Sequence, residues 1–421
     1  MELPEMALVE HQFNPQYIRD IPAAVREEMA SLNLGNKVKA GDAVAITAGS
    51  RGVANIDIVI KTIVDELKKL DAEPFVFPAM GSHGGGTAEG QIKVLANLGI
   101  TEETMGCPIK SDMEPEFLGE AALGYPINVD KNAMSADHIV VVNRVKSHTK
   151  FEGPIESGLM KMMAIGMGKQ KGAEYYHKAA VQLSFQRIVE TVGLEVMKRC
   201  PILFGLGTVE NAYHQTCVVK ALHPEDIYEG EKKLLVISKE RMASIPFDEI
   251  DILIVDRIGK DISGTGMDTN VTGRNRDLLG DFTTRPRVSR VYVRDLTDKT
   301  EGNATGIGLA DFTSTRLVNK MDHHKTWLNV ITGISPEKGA TPIYFDTDQE
   351  VLDACFKTIG NIPATDARIV HIRDTLSVDK ISVSKAYSEE ISQNNNLKLL
   401  GDWHELALGA DGNIVNPFAG L

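Results

Sequence analysis

The chain has 421 residues, of which 43% are hydrophobic and 24% charged, and its formal net charge is −13. That length exceeds one ordinary core, so two domains are expected, and the composition is that of a soluble globular protein. The acidic balance argues against nucleic acid and against an anionic membrane surface as partners, and no apolar run approaches the length of a membrane span.

The N-terminus, MELPEMALVEHQF, is acidic and has no apolar segment of the secretory kind. Cys107, Cys200, Cys217 and Cys355 are scattered without CxxC spacing, which fits reduced thiols in a cytoplasm and gives no zinc signature. Residues 1–40 read as irregular, with one helix over roughly Ile21–Leu34. Ala43–Ala48 (AVAITA) reads as a buried strand. Behind it, Ile56, Val59, Ile60, Ile63, Val64, Leu67 and Leu70 recur at helical spacing. Pro74–Ala79 predicts the next strand, and Gly81–Gly86 (GSHGGG) turns it into a helix near Ala88–Leu98. This βαβ alternation predicts a mostly parallel sheet with helices on its faces. Pro108, Pro115 and Pro126 break up the connection that follows.

His138–Val142 returns to the sheet, and the stretch Asn143–His177 leaves it as an irregular loop with two histidines, five lysines and five glycines. A helix is expected over about Lys178–Arg199, with strands at Pro201–Gly207 and Leu234–Ser238. Composition then shifts. Ile250–Asp256 opens a second α/β unit, followed by the polar run Arg257–Arg276, with further strands at Ser289–Asp295 and Ala367–Ile372. The expected division is an N-terminal α/β domain, 1–248, and a C-terminal α/β domain, 249–421, that contributes to substrate binding. The active site is expected in the cleft between them.

Loops at the carboxyl ends of such strands are where ligands bind. Lys161 lies between Leu159-Met160 and Met162-Met163-Ala164, and a lysine in apolar surroundings is a candidate for covalent chemistry. His148 stands thirteen residues before it and His177 sixteen after it. His83 sits among glycines that let the backbone approach a ligand. Arg51, at a strand end, has the donor fork that holds a carboxylate. Asp268, Asn270 and Arg274 lie in a loop where either substrate contact or turn formation accounts for them. Each feature also has a plain structural reading: solvated loop lysines, a surface arginine, packed histidines, a methionine core.

Taken in order, TAGSRG at 47–52, MGSHGGGTAEG at 80–90 and VKSHTKFEGPIESGLMKMMAIGMGKQKGA leading to His177 resemble the nickel-dependent lactate racemase superfamily. The resemblance implies a racemase or epimerase of a 2-hydroxy acid. It works by hydride transfer to and from a lysine-tethered nickel-pincer nucleotide, pyridinium-3-thioamide-5-thiocarboxylic acid mononucleotide with Ni. It further implies Lys161 as the tether, His177 as the nickel ligand, His83 and His148 as the proton-exchanging pair and Arg51 as the carboxylate holder, with cofactor maturation proteins as partners. Three features depart from the lactate enzyme. Ala48 replaces an aspartate, the loop from His148 to Lys161 is longer, and the C-terminal glutamine–lysine pair has no match in GKDISGTGMDTN. Lys260 and Asp268 there point to a larger hydroxy acid such as a sugar acid. Two other classes remain open: an anion- or sugar-acid-binding protein without redox chemistry, and a metallohydrolase with His83, His148 and His177 as ligands.

Overall fold

A computed structural model describes residues 2–50, 52–122, 124–277, 282 and 285–420. The chain forms two compact units, one of Asn14–Met242 and one of the residues up to Phe13 together with those from Ala243 onward. Each is an α/β layer structure whose main sheet is mostly parallel.

The first strand, β1 (Glu5–His11), belongs to the second unit. In the first unit, β2 (Ala43–Ala48), β3 (Glu73–Pro78), β6 (His138–Arg144), β7 (Ile202–Glu210) and β8 (Thr216–Leu222) form a sheet in the order β3-β2-β6-β7-β8. All pair in parallel except β8, which returns antiparallel to β7. A separate hairpin is built from β4 (Pro115–Glu120) and β5 (Pro126–Asp130). Strand β2 is buried at every position after the first, because helices cover both faces of a parallel sheet and leave no polar alternation. The helix Ile56–Lys68 buries Ile56, Val59, Ile60, Ile63, Val64 and Leu67 against it, the stripe that the sequence spacing predicts.

Two expectations fail here for identifiable reasons. Leu234–Ser238 is not a strand but part of the helix Ile227–Arg241. Ile227, Glu231, Leu234, Leu235 and Ser238 are its buried face, while Val236 is exposed, so a short apolar run on a helix imitated a strand. The single helix expected over 178–199 is two helices, Lys169–Leu183 and Phe185–Arg199. They break at Ser184, where φ is +83° and the hydroxyl accepts from Arg187 N at 3.4 Å.

In the second unit, β9 (Glu249–Ile258), β10 (Arg287–Leu296), β11 (Phe312–Ser314), β12 (Ile343–Phe345) and β13 (Ile369–Ile372) are parallel. Antiparallel β14 (Lys380–Ser384), β1 and β15 (Leu397–Leu399) extend the sheet, giving the order β12-β11-β10-β9-β13-β14-β1-β15, and β16 (His404–Glu405) pairs with β1. Strand β9 feeds two cores. Leu253 and Val255 pack on one face with Val291 and Val293, and Ile252 and Ile254 on the other with Tyr292. The first residues, expected to be irregular, thus include a strand. Among the described residues no helix is long and apolar enough to cross a membrane.

Candidate active site

The loop after β6 is a closed finger. Lys146 and Ser157 exchange both backbone hydrogen bonds, at 2.9 and 3.1 Å, and the Asn143 amide donates to Gly158 O at 2.8 Å. Inside it lies the Glu156 side chain, 1% exposed, which accepts from His148 N at 2.6 Å and Gly153 N at 3.4 Å and pairs with Lys239 at 2.7 Å. Burial pushes this carboxyl above its ordinary pKa despite Lys239. Glu156 thereby fixes the backbone at His148 and at Gly153 together.

The His148 ring stacks on Phe151 with centroids 4.3 Å apart, and Phe185 lies 6.0 Å away. Its Nδ1 accepts from Lys150 N at 3.1 Å, and its Nε2 lies 2.7 Å from Lys161 Nζ. The lysine is thus held against the imidazole edge, and which of the two nitrogens donates depends on the histidine tautomer. Lys161 ends the short helix Leu159–Lys161, which passes into a π-helical turn at Met162–Gly166. Such turns recur at functional sites. Met160, Met162, Met163 and Met167 are buried around it as core filling.

The start of that helix rests on Glu231. This fully buried carboxylate accepts from Met160 N at 2.8 Å through Oε2, while Oε1 has no partner among the described residues. A Cβ at Gly158 would stand 2.3 Å from Oε1, so only glycine fits there. Burial raises the Glu231 pKa to about 7, against the Met160 and Leu159 amides.

His177 lies on the helix Lys169–Leu183, with its ring 4.9 Å from Phe185. Burial lowers its pKa to about 3, and Lys150 and Lys161 add to the effect, so the ring is neutral. Its Nδ1 is buried and unpartnered among the described residues. His148, Lys161 and His177 are therefore gathered on one aromatic cluster, Phe151–Phe185, whose rings are 5.4 Å apart.

His83 is exposed on the glycine turn after β3. Gly84, Gly85 and Gly86 all have φ between +65° and +70°. A Cβ at Gly84 would fall 2.3 Å from the Gly90 carbonyl carbon, and one at Gly86 would fall 2.4 Å from Gln170 Oε1. This turn is tied to the His177 helix by Lys169, a residue whose loop position suggested a solvated side chain. Lys169 is fully buried; its amine donates to Pro78 O at 2.8 Å and Gln91 Oε1 at 2.7 Å and lies 3.3 Å from Asp130. Gln91 in turn donates to Met80 O and Gly81 O at 3.1 and 2.8 Å.

The remaining predicted residues lie elsewhere. Arg51 is outside the described residues. In the second unit, Lys260 donates to Gly264 O and Asn329 Oδ1, both at 2.7 Å, and Asp268 accepts from the Asn270 backbone and side chain, both at 2.9 Å. Arg274 pairs with Asp311 at 3.0 Å. These bonds shape the turn and tie it to Asn329 and Asp311 of the same unit. Glu156, Glu231, Lys169 and Gln91 escaped sequence reading. The one available signal was Glu231, an acid on the apolar face of a helix misread as a strand. Among the described residues no three His, Cys, Asp or Glu side chains cluster as a metal site, which removes support for the three-histidine hydrolase.

The first unit is an open, mostly parallel α/β sheet with a lysine, two imidazoles and a glycine turn in the loops that follow its strands. Residues 5–187 match the model of the lactate racemase N-terminal domain. The structure of the lactate racemase apoprotein from Thermoanaerobacterium thermosaccharolyticum is similar, with a TM-score of 0.57 at 15% identity over 88% of this chain and 99% of that one. A crystal structure of a Thermotoga maritima protein is similar at a TM-score of 0.50, with 13% identity over 80% of this chain and 86% of that one. No curated protein matches the chain. What the chain shares with lactate racemase is therefore this N-terminal domain match over residues 5–187 and the fold.

The pKa of Glu231 gives a test of this scaffold. Because the folded-state value, about 7, is above the ordinary 4.5, the stabilising contribution of this group is full below about pH 4.5 and is lost as pH rises through 7. At about 1.4 kcal/mol per unit the loss is on the order of 3 kcal/mol. Glu231→Gln cannot ionise, so its unfolding free energy, measured in urea from pH 4.5 to 8, should fall less than that of the native protein. Parallel profiles would show that Glu231 is ionised throughout.

Proposed function

We propose that this chain interconverts the stereoisomers of a 2-hydroxy acid with a nickel-pincer nucleotide carried on Lys161. The observation that carries the reading is the 2.7 Å contact between Lys161 Nζ and His148 Nε2. The donor set fits the group. Lys161 offers an amine for acylation, and His177 offers a neutral imidazole with a buried nitrogen unpartnered among the described residues. Bound there, the cofactor supplies the electrophile that takes the C2 hydrogen as hydride, a role no side chain can fill.

The chain's own residues do the rest. Once the Lys161 amine is part of the tether it no longer holds His148 Nε2, which becomes available to exchange the substrate hydroxyl proton. Phe151 and Phe185 hold that ring and keep water from its faces. His83, presented by the left-handed glycines, is the second proton-exchanging group, as inversion requires one on each side of a planar keto acid. Arg51 is assigned to the substrate carboxylate. The substrate we propose is a larger hydroxy acid, because the lactate-type glutamine–lysine pair is replaced by polar GKDISGTGMDTN. Each polar group buried against a methyl would cost roughly 1–3 kcal/mol. Lys260 and Asp268 are proposed to meet the hydroxylated tail.

Lys161→Ala should lose the covalent adduct in intact-mass spectra of protein made with the maturation pathway, while its circular dichroism is unchanged. His177→Ala should lower bound nickel. His148→Ala should keep nickel but lose turnover by about 10²–10⁴, the usual contribution of a general acid–base. Equal nickel loss in the His83, His148 and His177 variants would instead support a three-histidine metal site.

Matured enzyme should also prefer an aldonate over lactate in kcat/KM. Preference for lactate by roughly tenfold, about 1.4 kcal/mol in the transition state, would overturn the substrate assignment.

A further inference from the structure

The parallel part of the second unit's sheet changes direction beside β9. From β9 the chain moves outward through β10, β11 and β12, then returns to lay β13 on the other side of β9. The crevice outside the carboxyl ends at such a reversal is where open α/β sheets bind ligands. Here it is a cavity of about 300 Å³. Four arginines line it: Arg257 near the end of β9, Arg294 near the end of β10, Arg316 on the helix Thr315–Lys320, and Arg373 just after β13.

Three of the four are committed. Arg294 pairs with Asp256 at 2.5 Å and with the fully buried Asp348 at 2.6 Å. Arg316 pairs with the other oxygen of Asp348 and donates to Asn413 at 3.0 Å. Arg257 pairs with Asp374 at 3.0 Å. The carboxylates on the cavity wall are occupied too. Asp256 also meets His371 at 2.7 Å, and Asp295 meets Lys320 at 2.8 Å. Arg373 is different. It has no ion pair among the described residues, and its guanidinium lies 5.5 Å from the Phe418 ring centroid, an aromatic contact that leaves the donor edge usable. Arg294 and Arg316 are each held by one oxygen of Asp348 and Arg257 by Asp374, which leaves Arg373 as the arginine of the lining without an ion pair among the described residues.

We propose that this cavity is a second ligand site, specific for a small oxyanion, a phosphoryl or carboxylate group held by Arg373 in the two-pronged manner of guanidinium and flanked by Arg294 and Arg316. The site lies wholly in the second unit and does not depend on the isomerase reading. Among the described residues its lining holds no nucleophile and no imidazole; His371 meets Asp256 but does not line the cavity. The expected role is therefore binding.

The test is calorimetric titration of the full-length protein at fixed ionic strength, with inorganic phosphate in one arm and malonate in the other. Saturable one-to-one binding is expected in at least one arm, and the arm that binds tells a phosphoryl from a carboxylate ligand. Arg373→Ala should weaken it at least about tenfold. Arg373→Lys, which keeps the charge but loses the fork, should fall between, as expected of bidentate recognition. Absence of saturation in both arms would overturn the proposal, and so would binding that Arg373→Ala leaves unchanged. A ligand that binds the lysine variant as tightly as the native protein would show attraction by charge alone and would also refute a built site.

Discussion

Everything in the first unit's site follows from one constraint, the closure of the Lys161 amine on the His148 imidazole. Nζ lies 2.7 Å from Nε2, and Nδ1 of the same ring accepts from Lys150 N at 3.1 Å. To hold two flexible side chains in that relation, the fold supports each through its backbone. Glu156 grips His148 N, and Glu231 grips Met160 N one residue before Lys161. Both acids are buried, and burial raises the pKa of each. These carboxyls make the site a local source of instability that the surrounding core offsets, a pattern common where chemistry needs strained electrostatics.

The third support is Lys169. It holds a left-handed backbone, with φ at +56°, and takes a charge or a near-charge into the interior to join the end of β3, Gln91 and Asp130. Through it the His83 turn and the His177 helix are parts of one scaffold. A surface lysine would leave these two elements joined only by glycine contacts.

Much of the fold was legible because parallel strands buried on both faces are continuous apolar runs. AVAITA, HIVVV and IDILIVD stand out, and the stripe of Ile56–Leu67 has a single period. What escaped was decided by long-range pairing. EMALVEH becomes β1 only because β14 and β15, nearly 400 residues later, flank it. LLVIS is too short for its period to be read, and the buried acid that gives it away, Glu231, makes sense only beside Met160. The histidines and Lys161 were found from their ordered motifs; the acids and Gln91 that position them lie outside those motifs. The polar loop 257–276 shows the limit of composition. Its Asp268 and Lys260 make turn bonds, which spacing alone could not separate from ligand contacts.

The most direct test of the central claim uses a 2-hydroxy acid carrying deuterium at C2, turned over by matured enzyme in ordinary water. If the C2 hydrogen leaves and returns as hydride while His148 and His83 handle only the hydroxyl proton, the inverted product keeps its deuterium. Loss of the label to solvent at the rate of inversion would mean that C2 is deprotonated by a side chain, and the account given for Lys161 and the two histidines would be contradicted.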